Sequence, residues 1–176
     1  MFDKRMSDAE RRLFLLINLP SLKGRATEEI KGRLLYALKT GKLSDDDVKA
    51  AFPEEYSAVM SLIRQKPSLA MFDKRNYVIE YFFKVHNANA GCKVVPAQII
   101  GLRAERNNGK NVMVVKVRYL DGRSENLSIN IFENFDVRFN LRDYVLVHND
   151  TVCHKLTKEE YDGIMAADFP GGGRAL

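Results

Sequence analysis

The chain has 176 residues, 45% of them hydrophobic and 29% charged, the balance of an ordinary globular protein with room for one domain or two small ones. Two cysteines are too few for a disulfide framework, and no stretch approaches the roughly 18 apolar residues of a membrane span. The formal charge of +5 is thin and evenly spread, +3 from residues 1–70 and +2 from residues 71–176, so it permits nucleic-acid binding without favouring it.

Arg11-Arg12 followed by LFLLINL imitates a secretory leader. Acidic Asp3, Asp8 and Glu10 precede the apolar run, Asn18 and Pro20 interrupt it, and no small-x-small cleavage pattern follows. A cytoplasmic protein with reduced thiols is the expectation.

Ser7 and Glu10 have the spacing of a capping box, and Leu13, Leu16 and Ile17 follow on one face up to Pro20. Thr27 opens a second predicted helix that carries Ile30, Leu34, Leu35 and Leu38 and ends at Gly41. Ser44 with Asp47 starts a short helix that stops at Pro53, and Glu54 and Glu55 begin a fourth. Beyond Pro67 a longer helix is predicted from Leu69 to Val85, and HNANAG, His86 to Gly91, reads as its cap and turn. The pentapeptide MFDKR occurs at Met1–Arg5 and again at Met71–Arg75, with no similarity beyond it.

From Cys92 onward the pattern changes to period-2 alternation. Strands are predicted at Val94–Arg103, Lys110–Leu120 and Arg123–Ile131, joined by turns at Asn108-Gly109 and Asp121-Gly122. A loop covers Glu133 to Leu141, a fourth strand begins at Tyr144 to Val147, and DTVCHKL makes a short fifth. Thr157 with Glu160 caps a last brief helix before FPGGGRAL. The expected class is α+β: a helical domain over 1–90, a small antiparallel OB-like β-barrel with a short C-terminal helix over 91–168, and a flexible tail over 169–176.

The second half resembles the HypC/HupF family of hydrogenase-maturation chaperones. Cys92, Pro96, Gln98, Ile99 and Ile100 match a CxxxP opening; Val117, Gly122, Arg123 and Leu127 match its hairpin. Asp143 to His148 matches the [YW]VLVH strand, and Lys155, Leu156, Thr157, Glu159 and Glu160 match the start of the C-terminal helix. The resemblance covers Cys92 to Asp168. It implies an OB-like barrel that assists assembly of an iron centre, with transient iron and a protein partner from the assembly machinery. In the family the cysteine is the second residue, whereas Cys92 follows 91 others and has an ordinary peptide amide before it.

The resemblance makes Cys92 and His148 the metal-ligand candidates, with Pro96 shaping the strand that presents the thiol. A soft thiolate and a neutral imidazole both suit iron. Each has a plainer reading: a buried cysteine is a common inert core residue, and a histidine at a strand end is commonly a hydrogen-bonded one. His86, six residues before Cys92, is a third candidate ligand or a helix C-terminal imidazole favoured by the dipole. Cys153 and His154 are strand neighbours pointing to opposite faces and read as structural.

No phosphate loop, HExxH or paired CxxC occurs, and nothing places a nucleophile beside its base, so a non-enzyme is expected. The alternative is an OB-like nucleic-acid-binding module in which Arg103, Arg106, Lys110, Lys116 and Arg118 meet phosphates and Tyr119 stacks on a base. A further alternative is a protein-interaction domain without metal.

Overall fold

The computed structural model describes residues 5–22, 27–65, 77–89, 91–107, 110–129 and 138–166. Both copies of MFDKR (save Arg5), the first part of the Leu69–Val85 helix, the Asn108-Gly109 turn, most of the loop after Glu133 and the C-terminal tail lie outside the described residues. Helices come first, then strands, then a C-terminal helix, which makes the class α+β. The chain divides into two compact units between His86 and Asn87, four residues before the expected boundary.

The helical unit contains α1 (Asp8–Asn18), a 3-10 turn (Leu19–Leu22), α2 (Glu28–Thr40), α3 (Asp45–Ala51), α4 (Pro53–Gln65), α5 (Tyr77–Glu80) and a π-helical segment (Tyr81–His86). Capping starts the helices where the sequence calls for it. Ser7 Oγ accepts from the Glu10 amide at 3.2 Å while the Glu10 carboxylate accepts from the Ser7 amide at 2.9 Å, and Ser44 and Asp47 repeat the exchange at 3.1 Å each way. Such a cap contributes about 1 kcal/mol. Gly41 ends α2 at φ 68°, where a β-carbon would be strained.

Phe14 centres the core of this unit. It is fully buried, meets Phe52 edge-on at 5.9 Å and lies beside Phe82 at 6.1 Å; burying such a side chain stabilises by about 1.5–3 kcal/mol. At the periphery Asp45 accepts from Arg11 Nη1 at 2.9 Å and from the Tyr56 hydroxyl at 3.0 Å. Burial first, then that hydrogen bond, push the Tyr56 phenol up to about 12. The expected regular helix through Val85 instead widens into the π-helical segment, where Tyr81, Phe82 and Phe83 are all buried.

The second unit opens with one helical turn, α6 (Asn87–Asn89), where the sequence reading places a cap. Five strands follow: β1 (Val94–Asn107), β2 (Lys110–Arg118), β3 (Ser124–Ile129), β4 (Tyr144–His148) and β5 (Thr151–Leu156). Each is hydrogen-bonded to two others, in the cyclic order β1, β2, β3, β5, β4 and back to β1. Four pairings are antiparallel, but β3 and β5 run parallel through Ser128↔Thr151 and Ile129↔Val152, a departure from the expected all-antiparallel arrangement. β1 is also longer than predicted, reaching Asn107 rather than Arg103.

Alternation decides which side chains make the core. Ala97, Ile99, Val115, Val117, Val145 and Val147 are buried together with Leu127 and Val152, while Lys116 is exposed between two buried valines. Gly122, at φ 84°, turns the chain between β2 and β3. The β4–β5 connection is a two-residue turn in which Asn149 and Asp150 both have positive φ, 48° and 56°, the type I′ geometry that suits the twist of a hairpin. The final helix α7 (Lys158–Ala166) carries the predicted Thr157–Glu160 capping pair at 2.8 and 3.1 Å. Its Tyr161 ring stacks on Tyr144 of β4 at 4.1 Å. No described helix is long and apolar enough to cross a membrane.

Candidate metal centre

Cys92 lies two residues before the start of β1, and His148 is the last residue of β4. Antiparallel pairing of β1 with β4 sets Val94 opposite His148, Pro96 opposite Leu146 and Gln98 opposite Tyr144. Val95, Ala97, Val145 and Val147 pack with the sheet core, so the alternate residues Val94, Pro96, Leu146 and His148 belong to the other face. At the end of that face the fold brings Cys92 and His148 together, with Sγ 3.2 Å from Nε2.

The two groups differ in access. His148 is completely buried, 0% exposed, and Cys92 is half-buried. The accessible member of the pair is therefore Cys92. Ligand bonds of about 2.3 Å to sulfur and about 2.0 Å to nitrogen in tetrahedral geometry separate the two donor atoms by ~3.5 Å, within a few tenths of the distance found. A soft thiolate and an imidazole at this separation fit a transition metal ion, and Cys92 and His148 offer ligand atoms close enough to share one.

Pro96 is buried, and its ring costs the sheet no hydrogen bond. Across β1 from β4, strand β2 begins its pairing only at Gln98, opposite Arg118. A proline here sits on a length of strand whose outer edge has no strand partner among the described pairings, the setting proline tolerates.

The missed residue is Asn87. It is 1% exposed, and its carboxamide takes both backbone groups of Val94: Nδ2 donates to the Val94 carbonyl at 2.7 Å and Oδ1 accepts from the Val94 amide at 2.8 Å. The Lys93 ammonium donates to the Asn87 carbonyl. The sequence signal was present but ambiguous, since an asparagine ahead of a strand usually marks a turn.

His86 closes the helical unit, its ring edge-on to Phe82 at 5.3 Å and to Tyr81 at 6.3 Å. Cys153 is fully buried and falls where the β4–β5 register slips between Leu146↔His154 and Val147↔Val152. Its thiol is directed at the Thr151 carbonyl, 3.3 Å away, while His154 is half-buried.

The residues of the nucleic-acid alternative are not gathered on one stripe. Arg103 pairs with Glu105 at 2.6 Å, and Arg118 donates to the Gln98 side chain at 3.4 Å. Arg106, three residues on from Arg103, alternates to the opposite face, and the Lys110 side chain lies outside the described residues. Tyr119 packs against the sheet core rather than beside Lys116 and Arg118. Its hydroxyl donates to Glu125 at 3.0 Å, and burial followed by that bond holds the phenol well above its usual range. Comparison of the chain with protein-family models, with curated proteins and with solved structures found no match.

Proposed function

We propose that this chain is an accessory protein of metal-centre assembly, HypC-like in its second unit, which holds iron briefly through Cys92 and His148 and passes it to a protein partner. The observation that carries the reading is the 3.2 Å approach of the half-buried thiol to the buried imidazole. The ordered motifs from Cys92 to Glu160 support iron as the cargo. Two protein ligands leave coordination positions for a partner or small ligands, the arrangement of a carrier rather than a structural site. The cyclic strand order supports an OB-type barrel as the scaffold.

The chain binds and delivers rather than catalyses, and the partner is a component of the assembly machinery. The cationic face has less support as a function, because Arg103 is committed to Glu105 and the aromatic ring lies with the core.

The test is anaerobic reconstitution with ferrous iron followed by elemental analysis. Wild-type protein retains iron through desalting, whereas Cys92→Ala keeps its circular dichroism spectrum and loses the metal; equal retention by both proteins rules the reading out.

A further inference from the structure

Strand β1 has an unfinished edge. Its Val94–Gln98 segment is covered on one side by β4, and on the other side β2 stops at the Gln98↔Arg118 pair. Backbone amide and carbonyl groups of Val94 that face away from β4 therefore need partners, since an unpaired buried peptide group costs about 1–3 kcal/mol. Pro96, the next residue on the same side, lacks the amide altogether. Val94 finds its partners in Asn87: the carboxamide presents one donor and one acceptor, as a peptide of a neighbouring strand does, at 2.7 and 2.8 Å.

We infer that Asn87 is a positioning residue for the Cys92–His148 pair, a one-residue substitute for the missing strand that fixes where the thiol stands. The consequence for the site follows from strand geometry. Both polar backbone groups of Val94 point to Asn87, so the Val94/His148 pair is of the non-hydrogen-bonded kind, the kind in which facing side chains approach more closely. The same clamp ties residue 87 to residue 94 and closes a loop with Cys92 inside it. A sulfur two residues from a doubly bonded anchor has little room to swing, and it is thereby held at Nε2 of an imidazole that is completely buried. Ligand affinity depends on such supporting contacts: loss of one weakens metal binding by about 10–100-fold.

This inference rests on the metal reading only for its metal-binding arm, and the experiment separates the two. Three quantities are measured on the full chain: hydrogen exchange at the Val94 amide, the rate of Cys92 alkylation by iodoacetamide, and the affinity for Co(II) read from thiolate-to-cobalt absorption. In wild-type protein the Val94 amide exchanges at least about tenfold more slowly than an unprotected amide. Asn87→Ala removes both hydrogen bonds. Asn87→Asp keeps the shape and the acceptor but sets an oxygen against the Val94 carbonyl. Both variants deprotect Val94, speed Cys92 alkylation about tenfold or more, and weaken Co(II) binding by about 10–100-fold. Leu127→Ala, which opens a cavity in the sheet core, lowers the melting temperature and leaves alkylation and Co(II) affinity unchanged.

If wild-type protein binds no Co(II) while the variants still deprotect Val94 and speed alkylation, the metal reading falls and the positioning role stands. A Val94 amide that exchanges freely in wild-type protein overturns the inference whatever the variants do. So do variants whose alkylation rate and Co(II) affinity match the wild type, or a Leu127→Ala protein that shows the same changes as the Asn87 variants.

Discussion

Nε2 of His148 lies 3.2 Å from the sulfur of Cys92, although the imidazole is completely buried and the thiol is half-exposed to solvent. The protein's other thiol, Cys153, is sealed in the sheet and directed at the Thr151 carbonyl. Thiol reagents need access to sulfur. Native protein treated with iodoacetamide therefore gains one adduct, mapped by mass spectrometry to Cys92, and Cys153 is modified only after addition of denaturant. Two adducts forming at equal rates under native conditions would contradict the burial that separates the thiols.

Stability falls in alkali through raised phenols in each unit, Tyr56 in the first and Tyr119 and Tyr161 in the second. Burial and a hydrogen bond to Asp45 raise Tyr56 from 10.0 to about 12, and burial with a bond to Glu125 raises Tyr119 further. A raised folded-state pKa means that the folded protein binds the proton more tightly than the unfolded chain does. The contribution is fully present below pH 10, the unfolded value, and for Tyr56 it is lost as pH rises toward about 12. Urea titrations between pH 9 and pH 12 show stability dropping in wild-type protein and a shallower drop in Tyr56→Phe.

Much of the fold was legible because local chemistry and tertiary structure agree. The Ser7–Glu10 and Ser44–Asp47 boxes, Gly41 and Gly122 mark their helix ends and turn, and Val115-Lys116-Val117 shows which face of β2 is buried. The misses have physical causes. The Asn149-Asp150 turn lacks the glycine that announces a type I′ hairpin, although asparagine and aspartate tolerate positive φ better than most residues. The parallel β3–β5 pairing joins strands distant in sequence, which alternation cannot report. At the candidate site, Cys92 and His148 were readable as residue types, but their 3.2 Å approach depends on the β1–β4 register across 56 residues. Asn87 was hidden because a carboxamide that substitutes for a strand looks, in sequence, like one that ends a helix.

Two glycines separate backbone strain from side-chain crowding. A β-carbon added at Gly122 or at Gly163 would meet nothing within 4 Å, so neither substitution creates a clash. Gly122 sits at φ 84° in the β2–β3 turn, and Gly122→Ala costs about 1–2 kcal/mol from the left-handed conformation alone. Gly163 lies within α7, where Gly163→Ala stabilises that helix by about 1 kcal/mol through reduced backbone entropy. Urea denaturation followed by the Tyr144–Tyr161 fluorescence shows opposite shifts in midpoint; shifts of the same sign would contradict these backbone assignments.

Metal bound at Cys92 and His148 links stability to metal concentration. An ion that binds only the folded protein adds about 2.7 kcal/mol when present at a hundred times its dissociation constant. Co(II) titrated into wild-type protein therefore raises the thermal midpoint, a chelator returns it to the starting value, and Cys92→Ala shows neither change. The rise shrinks as pH is lowered, because a proton competes with the ion for the sulfur and for the imidazole nitrogen. A midpoint indifferent to Co(II), or a rise that survives in Cys92→Ala, would place any bound cobalt elsewhere on the chain.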